Sequence, residues 1–238
     1  MEISSHPVPR SPNGETDAPL SARTLELWDA FANIAQALAH PYRLLLLNLL
    51  EQAPRDVETL ARLLHVRIAT ASQHLQKLKH AALVVDERHG RRRVYRLSHP
   101  AIRGLVASIG RVAELTSDRA EKLYHELFAE IQDEPPVRPE ELRRLLARQE
   151  AILVDIRPRD EYEHDHTPGA ISVPLSVLPS AQERLPRKRL LVVTCRGRYC
   201  LLALEAIQQL RSQGFRVRRY EEGVLPPAPH EANENPLS

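Results

Sequence analysis

Two cysteines, Cys195 and Cys200, stand five positions apart, and the chain of 238 residues has no others. They bracket Arg196, Gly197, Arg198 and Tyr199. An apolar run, Leu190–Thr194, comes directly before them, and an apolar helical pattern over 201–210 directly after. This succession reads as buried strand, short loop and helix. A cysteine at such a strand end faces the unpaired amides of the helix start, where the dipole favours an anion. A thiolate is such an anion, so the pKa of Cys195 is expected to fall below its ordinary value of about 8.5. Arg196 and Arg198 are expected to add positive potential. The same cradle suits a persulfide or an oxyanion such as thiosulfate. Cys200 has two open readings. It is a small buried residue, or it is a resolving thiol that attacks a persulfide on Cys195.

The elements that hold this loop follow from the surrounding pattern. Short apolar strands fit 151–156, 190–194 and 217–220, and helices fit 140–149 and 201–213. Strand–helix alternation of this kind predicts a parallel α/β sheet. Ahead of it, Asp133-Glu134-Pro135-Pro136 must stop a helix, because proline lacks the amide and restricts the residue before it.

Residues 24–131 have a different pattern, almost wholly helical. Leu27, Phe31, Ile34 and Leu38 recur at helical spacing, and His40-Pro41 ends or bends that helix. A very apolar helix follows over 42–52. Helices over 56–64 and 68–81, separated by His65-Val66-Arg67, make a helix-turn-helix unit. On the second of these, Ala71, Leu75 and Leu78 face the core. Ala69, Thr70, Ser72, Gln73, His74, Gln76 and Lys77 are expected to be exposed. Small and amide side chains at a helix start allow close approach to base edges in a major groove. Segments 83–88 and 93–97 alternate as strands around His89-Gly90-Arg91-Arg92, a hairpin wing with a basic tip. From Arg67 to Arg103 nine basic residues face only Asp86 and Glu87. Basic groups on helix and wing, Lys77, Arg91, Arg92 and Arg93 among them, are the footprint of phosphate binding. A merely solvated charged face is the alternative for the wing arginines alone. Ile102, Leu105, Ile109, Val112 and Thr116, continued by Leu123, Leu127 and Ile131, predict one long helix. It is either a pairing seam or a helix packed on its own domain.

Composition limits the remaining possibilities. Basic and acidic residues number 33 and 31, so the near-neutral total conceals a local basic patch. No apolar run approaches the roughly 18–20 residues of a membrane helix, and no signal segment is visible at the N-terminus. Two cysteines make no disulfide scaffold, which points to a reducing, cytoplasmic setting with a local role for the thiols. The expected organisation is a disordered tail over 1–19, a DNA-binding and dimerisation domain over 20–133, a linker over 134–138, a second domain over 139–226 and a tail over 227–238.

Two resemblances complete this reading. Residues 34–97 resemble the winged-helix domain of the ArsR/SmtB transcriptional repressors. They do so through Ala37-Leu38-Ala39-His40-Pro41-Tyr42-Arg43, Leu60-Ala61-Arg62-Leu63-Leu64, Thr70 to Leu78 and Gly90 to Tyr95. The resemblance implies that Thr70, Ser72, Gln73 and His74 contact bases or phosphates, and that a homodimer pairs through its first and last helices on a palindromic double-stranded operator. Arg67 stands where that family places a capping serine, and its sensing cysteines are missing, so no metal site is expected. Residues 139–225 resemble the rhodanese family through Asp155-Ile156-Arg157, His166-Thr167-Pro168-Gly169-Ala170 and Cys195-Arg196-Gly197. That resemblance implies that Cys195 is the sulfur-accepting nucleophile and that Arg196 to Cys200 supply the loop amides. By the same resemblance Asp155 and Arg157 brace the site as an ion pair. A structural salt bridge is the plainer reading of that pair, and His166 reads as a turn residue.

The expected fold is therefore an α+β multidomain chain. A winged helix-turn-helix, mostly α with a β-hairpin wing, precedes an α/β rhodanese domain with a parallel sheet. The expected function is a DNA-binding regulator that handles or senses sulfane sulfur through Cys195, with a donor such as thiosulfate or a persulfide and no cofactor. The alternative is a thiosulfate or persulfide sulfurtransferase that carries a DNA-binding domain.

Overall fold

The computed structural model describes residues 21–131 and 133–224. The two expected tails lie outside the described residues. In the first half, α1 (Ala22–Leu38) starts where the Ser21 hydroxyl accepts from the Thr24 amide. After a break at Ala39-His40, α2 (Pro41–Gln52) begins with proline in its first turn, where a missing amide costs nothing. The strand β1 (Arg55–Asp56) leads into α3 (Val57–Leu63), capped by Asp56 through a 2.8 Å bond from the Thr59 amide. The recognition helix α4 (Ile68–His80) has no side-chain cap, because Arg67 has no acceptor to offer. Ala71, Leu75 and Leu78 are fully buried against Leu46, Leu47, Leu50 and Leu60 of the preceding helices. The wing strands β2 (Val84–His89) and β3 (Arg92–Leu97) pair antiparallel, and β1 adds to the other edge of β3. Tyr95 on β3 points into the same core.

The long helix expected over 102–131 is not continuous. α5 (Leu105–Thr116) stops at Ser117, whose extended backbone and hydroxyl cap start α6 (Asp118–Phe128). Local hydrogen bonding by serine overrides the continuing apolar period here. The stripe also changes its destination. Leu115, Leu123 and Leu127 are exposed, whereas Phe128 and Ile131 are buried in the core of the second half.

The second half opens with α7 (Pro139–Ala147). Its sheet is parallel throughout, in the order β5 (Ile171–Ser172), β4 (Ala151–Asp155), β6 (Leu190–Thr194), β7 (Val217–Arg219). Helices α8 (Arg159–His164), α9 (Leu178–Ala181) and α10 (Leu201–Ser212) complete it. Leu191 and Val193 pack towards α10, while Val192 packs towards α7 with Leu142 and Leu153. Both faces are covered, which explains why the strand reads as a continuous apolar run.

Candidate functional site

β6 ends at Thr194, and the next residue, Cys195, is buried. The loop closes on itself: Cys195 and Cys200 are joined as a disulfide, and the Cys200 amide donates to the Gly197 carbonyl at 3.2 Å. Gly197 has φ +108°, a conformation side chains disfavour, and a Cβ there would lie 3.4 Å from the Glu221 carbonyl. The chain after β7 wraps this turn, held by a 2.9 Å bond from the Thr194 hydroxyl to the Gly223 carbonyl. Cys200 is the cap residue of α10, so the sulfur pair sits at the positive end of a three-turn helix.

The loop arginines do not lie free around the cysteines. Arg196 makes a two-pronged pair with Glu161 of α8, with bonds of 2.6 to 3.1 Å. Glu161 is wholly buried and also accepts from Arg55 of β1 at 2.6 Å. Arg198 pairs with Glu114 of α5 and with Glu221, and stacks over Tyr124 of α6. Burial opposes the Arg198 charge, but Glu114 and Glu221 outweigh it and hold its pKa above the ordinary value. Against burial, Arg198 and Tyr199 hold the Glu114 carboxyl below its usual range. The expected surplus of positive potential is therefore corrected: carboxylates from three elements neutralise both arginines. Tyr199 lies across Gly110 of α5, where an added Cβ would approach its ring carbons to 2.5 Å. Burial, with Glu114 beside it, raises the Tyr199 phenol.

Asp155 and Arg157 form the expected pair, with bonds of 2.6 to 3.1 Å between two buried side chains. Arg157 also reaches the Gln52 side chain of α2 at 3.1 Å and the Asp165 carbonyl at 2.8 Å. His166 stacks on Tyr162, and its Nδ1 lies 2.8 Å from the Tyr162 carbonyl, so it serves the turn. Between the halves lies a cleft of about 690 Å³. Leu44, Leu45, Val106 and Ile109 line one side, and the loop from Arg196 to Cys200 lines the other. Glu51 also lines it, and burial raises that carboxyl although the Gly104 amide donates to it.

On the recognition helix, Gln73 and Lys77 are exposed, and Thr70 and Ser72 are half-buried. Thr70, Ser72, Gln76 and His74 all depart from the exposed positions expected of them. The His74 ring lies tilted against His40, with centroids 4.2 Å apart, and 5.6 Å from the Tyr42 ring. Burial, then the charges of His40, Arg43 and Lys77, lower its pKa. On the wing, Arg91, Arg92 and Arg93 are exposed, and the last two reach Asp56 and Asp86 at 3.4 and 3.1 Å. Glu161, Glu114, Gly110, Arg55 and Gln52 were not singled out by the sequence. Their partners lie up to 106 positions away, and no spacing signals that.

A helix-turn-helix with a basic wing, followed by a parallel sheet that presents a cysteine loop, defines a two-part transcriptional regulator. Residues 40–85 match the bacterial regulatory protein family arsR, and residues 138–225 match the rhodanese-like domain. The chain is 37% identical over 206 residues to the HTH-type transcriptional regulator Rv0324 of Mycobacterium tuberculosis, covering 86% of this chain and 90% of that protein. It is 35% identical over 97 residues to the M. tuberculosis HTH-type transcriptional repressor SmtB, covering 41% of this chain and 72% of that one. Among solved structures, a homodimeric winged helix-turn-helix DNA-binding domain from Mycobacterium bovis is 36% identical. It covers 43% of this chain and 94% of that one, with a TM-score of 0.39. This chain belongs to the ArsR family of transcriptional regulators and carries a rhodanese-like domain. Among the described residues, no helix is long and apolar enough to cross a membrane.

Proposed function

We propose that this protein binds a palindromic operator as a homodimer, and that the sulfur state of Cys195 and Cys200 sets its affinity for DNA. The observation that carries the reading is where the cysteine loop is docked. Tyr199 and Arg198 lie on Gly110 and Glu114 of α5, and Arg196 reaches β1 of the wing sheet through Glu161 and Arg55. A change in loop conformation has a short path to both α5 and the helix-turn-helix. Coupling requires that the two sulfur states favour different arrangements of those contacts.

The chemistry needs only the pair and a persulfide donor. The Cys195 thiolate bonds to the terminal sulfur of RS–SH and expels RS⁻, leaving Cys195–S–SH. The Cys200 thiolate then bonds to Cys195 Sγ and expels HS⁻, which gives the disulfide. Its closed loop and buried Cys195 favour sensing over the sulfurtransferase alternative. Exposed Leu25, Trp28 and Phe31 on α1, with Val112 and Leu115 on α5, support pairing of two copies. Gln73, Thr70, Ser72 and His74 would face bases, and Lys77 and the wing arginines phosphates.

The test selects a duplex from a random pool and titrates it with reduced, oxidised and polysulfide-treated full-length protein. Wild type is expected to change affinity between states, and Cys195→Ser and Cys200→Ser to lose that change. Identical titrations for all three states of the wild type reject the reading.

A further inference from the structure

We propose that the cleft between the two halves admits a small uncharged thiol, and that this thiol attacks Cys200 to reopen the loop. The inference rests on the sulfur-switch reading and supplies its resetting step.

Position in the cleft selects the cysteine. Cys200 lines the cleft and is 8% exposed, whereas Cys195 does not line it and is 1% exposed. Thiol–disulfide exchange requires access to the attacked sulfur, so the residue that borders the cleft is the one attacked. The incoming thiolate RS⁻ bonds to Cys200 Sγ, the bond between the two cysteines breaks, and its electron pair remains on Cys195 Sγ. A second RS⁻ then bonds to the sulfur of the first, releasing RSSR and the Cys200 thiolate. The protein disulfide is reduced and two thiols are oxidised.

The lining defines the ligand class. Its cations are Arg111, Arg196 and Arg198, and its carboxylates are Glu51, Glu221 and Glu222. Arg196 and Arg198 are engaged by Glu161, Glu114 and Glu221, so neither is free to bind an anion. The opposite wall, from Leu44, Leu45, Val106 and Ile109, is apolar. Arg111 is the remaining lining cation, and the three carboxylates balance the three arginines, so the site has no surplus positive charge to concentrate thiosulfate or an anionic thiol and suits a short uncharged carbon body. Because α2 and α5 build that wall, the occupant also touches the DNA-binding half.

The experiment treats oxidised full-length protein with substoichiometric 2-mercaptoethanol, quenches with iodoacetamide and maps both cysteines by mass spectrometry after trypsin cleavage. The mercaptoethanol adduct is expected on Cys200 and the alkyl group on Cys195. The opposite distribution overturns the assignment. At equal thiolate concentration, 2-mercaptoethanol is expected to reduce the protein several-fold faster than 2-mercaptoethanesulfonate. Equal rates, or faster reduction by the sulfonate, overturn the ligand class. Should Cys200 take the adduct while oxidised and reduced protein bind DNA alike, the site stands and the switch reading falls.

Discussion

The two halves use arginine in opposite ways. On the wing, Arg91, Arg92 and Arg93 carry exposed guanidinium groups, and Arg92 and Arg93 each reach one carboxylate, Asp56 and Asp86, whose own side chains are largely buried. Asp86 keeps Lys79 and Asp56 keeps the Thr59 amide when the arginines turn to phosphate, so neither carboxylate is stranded. Around the cysteine loop, Arg157, Arg196 and Arg198 are buried or nearly so and hold carboxylates in two-pronged geometry. A run of basic residues is therefore a binding surface in one half and a set of structural clamps in the other. What separates them is whether the guanidinium is buried together with its carboxylate.

The largest effect expected from breaking this contrast is at Glu161. Glu161→Ala leaves Arg196 without its carboxylate and Arg55 with Asp160 alone, 3.0 Å away. Breaking a buried pair costs about 3–5 kcal/mol, and the lower end applies here, because Arg55 keeps Asp160 and the Arg196 side chain is 16% exposed. Denaturant titration of the oxidised protein measures the loss, and an unchanged midpoint would show that the two arginines find other partners.

Docking on α5 gives the next effect. Gly110→Val drives the outer end of the Tyr199 ring off the helix, and because Tyr199 is 37% exposed the ring swings into solvent with little loss of stability. The expected signature is oxidised and reduced protein binding DNA alike while Cys195 and Cys200 still form their disulfide. A retained difference would move the coupling to the Glu161 route.

On the wing, Arg91→Ala with Arg92→Ala and Arg93→Ala leaves the fold intact and weakens binding to every duplex alike. The slope of log affinity against log salt should fall by about 0.9 for each phosphate that is no longer neutralised. An unchanged slope removes the wing from the interface.

The smallest effect is at His74, where the folded ring resists protonation. Its contribution to stability is full above the ordinary histidine pKa of about 6.5. It declines as pH falls below that value, because the unfolded chain binds a proton the folded cluster disfavours. His74→Gln should flatten the dependence of thermal midpoint on pH between 5 and 7, read by scanning calorimetry at about half-unit steps.

Much of this architecture is legible in the residues. The helix-turn-helix follows from Leu60, Ala71, Leu75 and Leu78 at helical spacing, and the wing follows from alternation around Gly90. The parallel sheet follows from apolar runs such as Leu190–Thr194. The break at Ser117 was hidden, because the apolar period continues through it and only the serine cap interrupts the backbone. β1 was hidden as well, since two residues carry no period. At the site, the loop from Cys195 to Cys200 and the pairing of Asp155 with Arg157 could be read from neighbouring positions. The half-buried contact of His74 with His40 could not, since one ring comes from α4 and the other from the cap of α2.

The chain's own order dictated what is local: which segments coil, which extend, and that a cysteine ends a strand in front of a helix start. Backbone geometry and side-chain period act over a few residues, so they are present in any window of the sequence. Only the folded arrangement decided where the charges of Arg196 and Arg198 go and which cysteine borders the cleft. Those outcomes depend on groups as far apart as Arg55 and Glu161, brought together when two hydrophobic cores pack and exclude the water that would otherwise have solvated them.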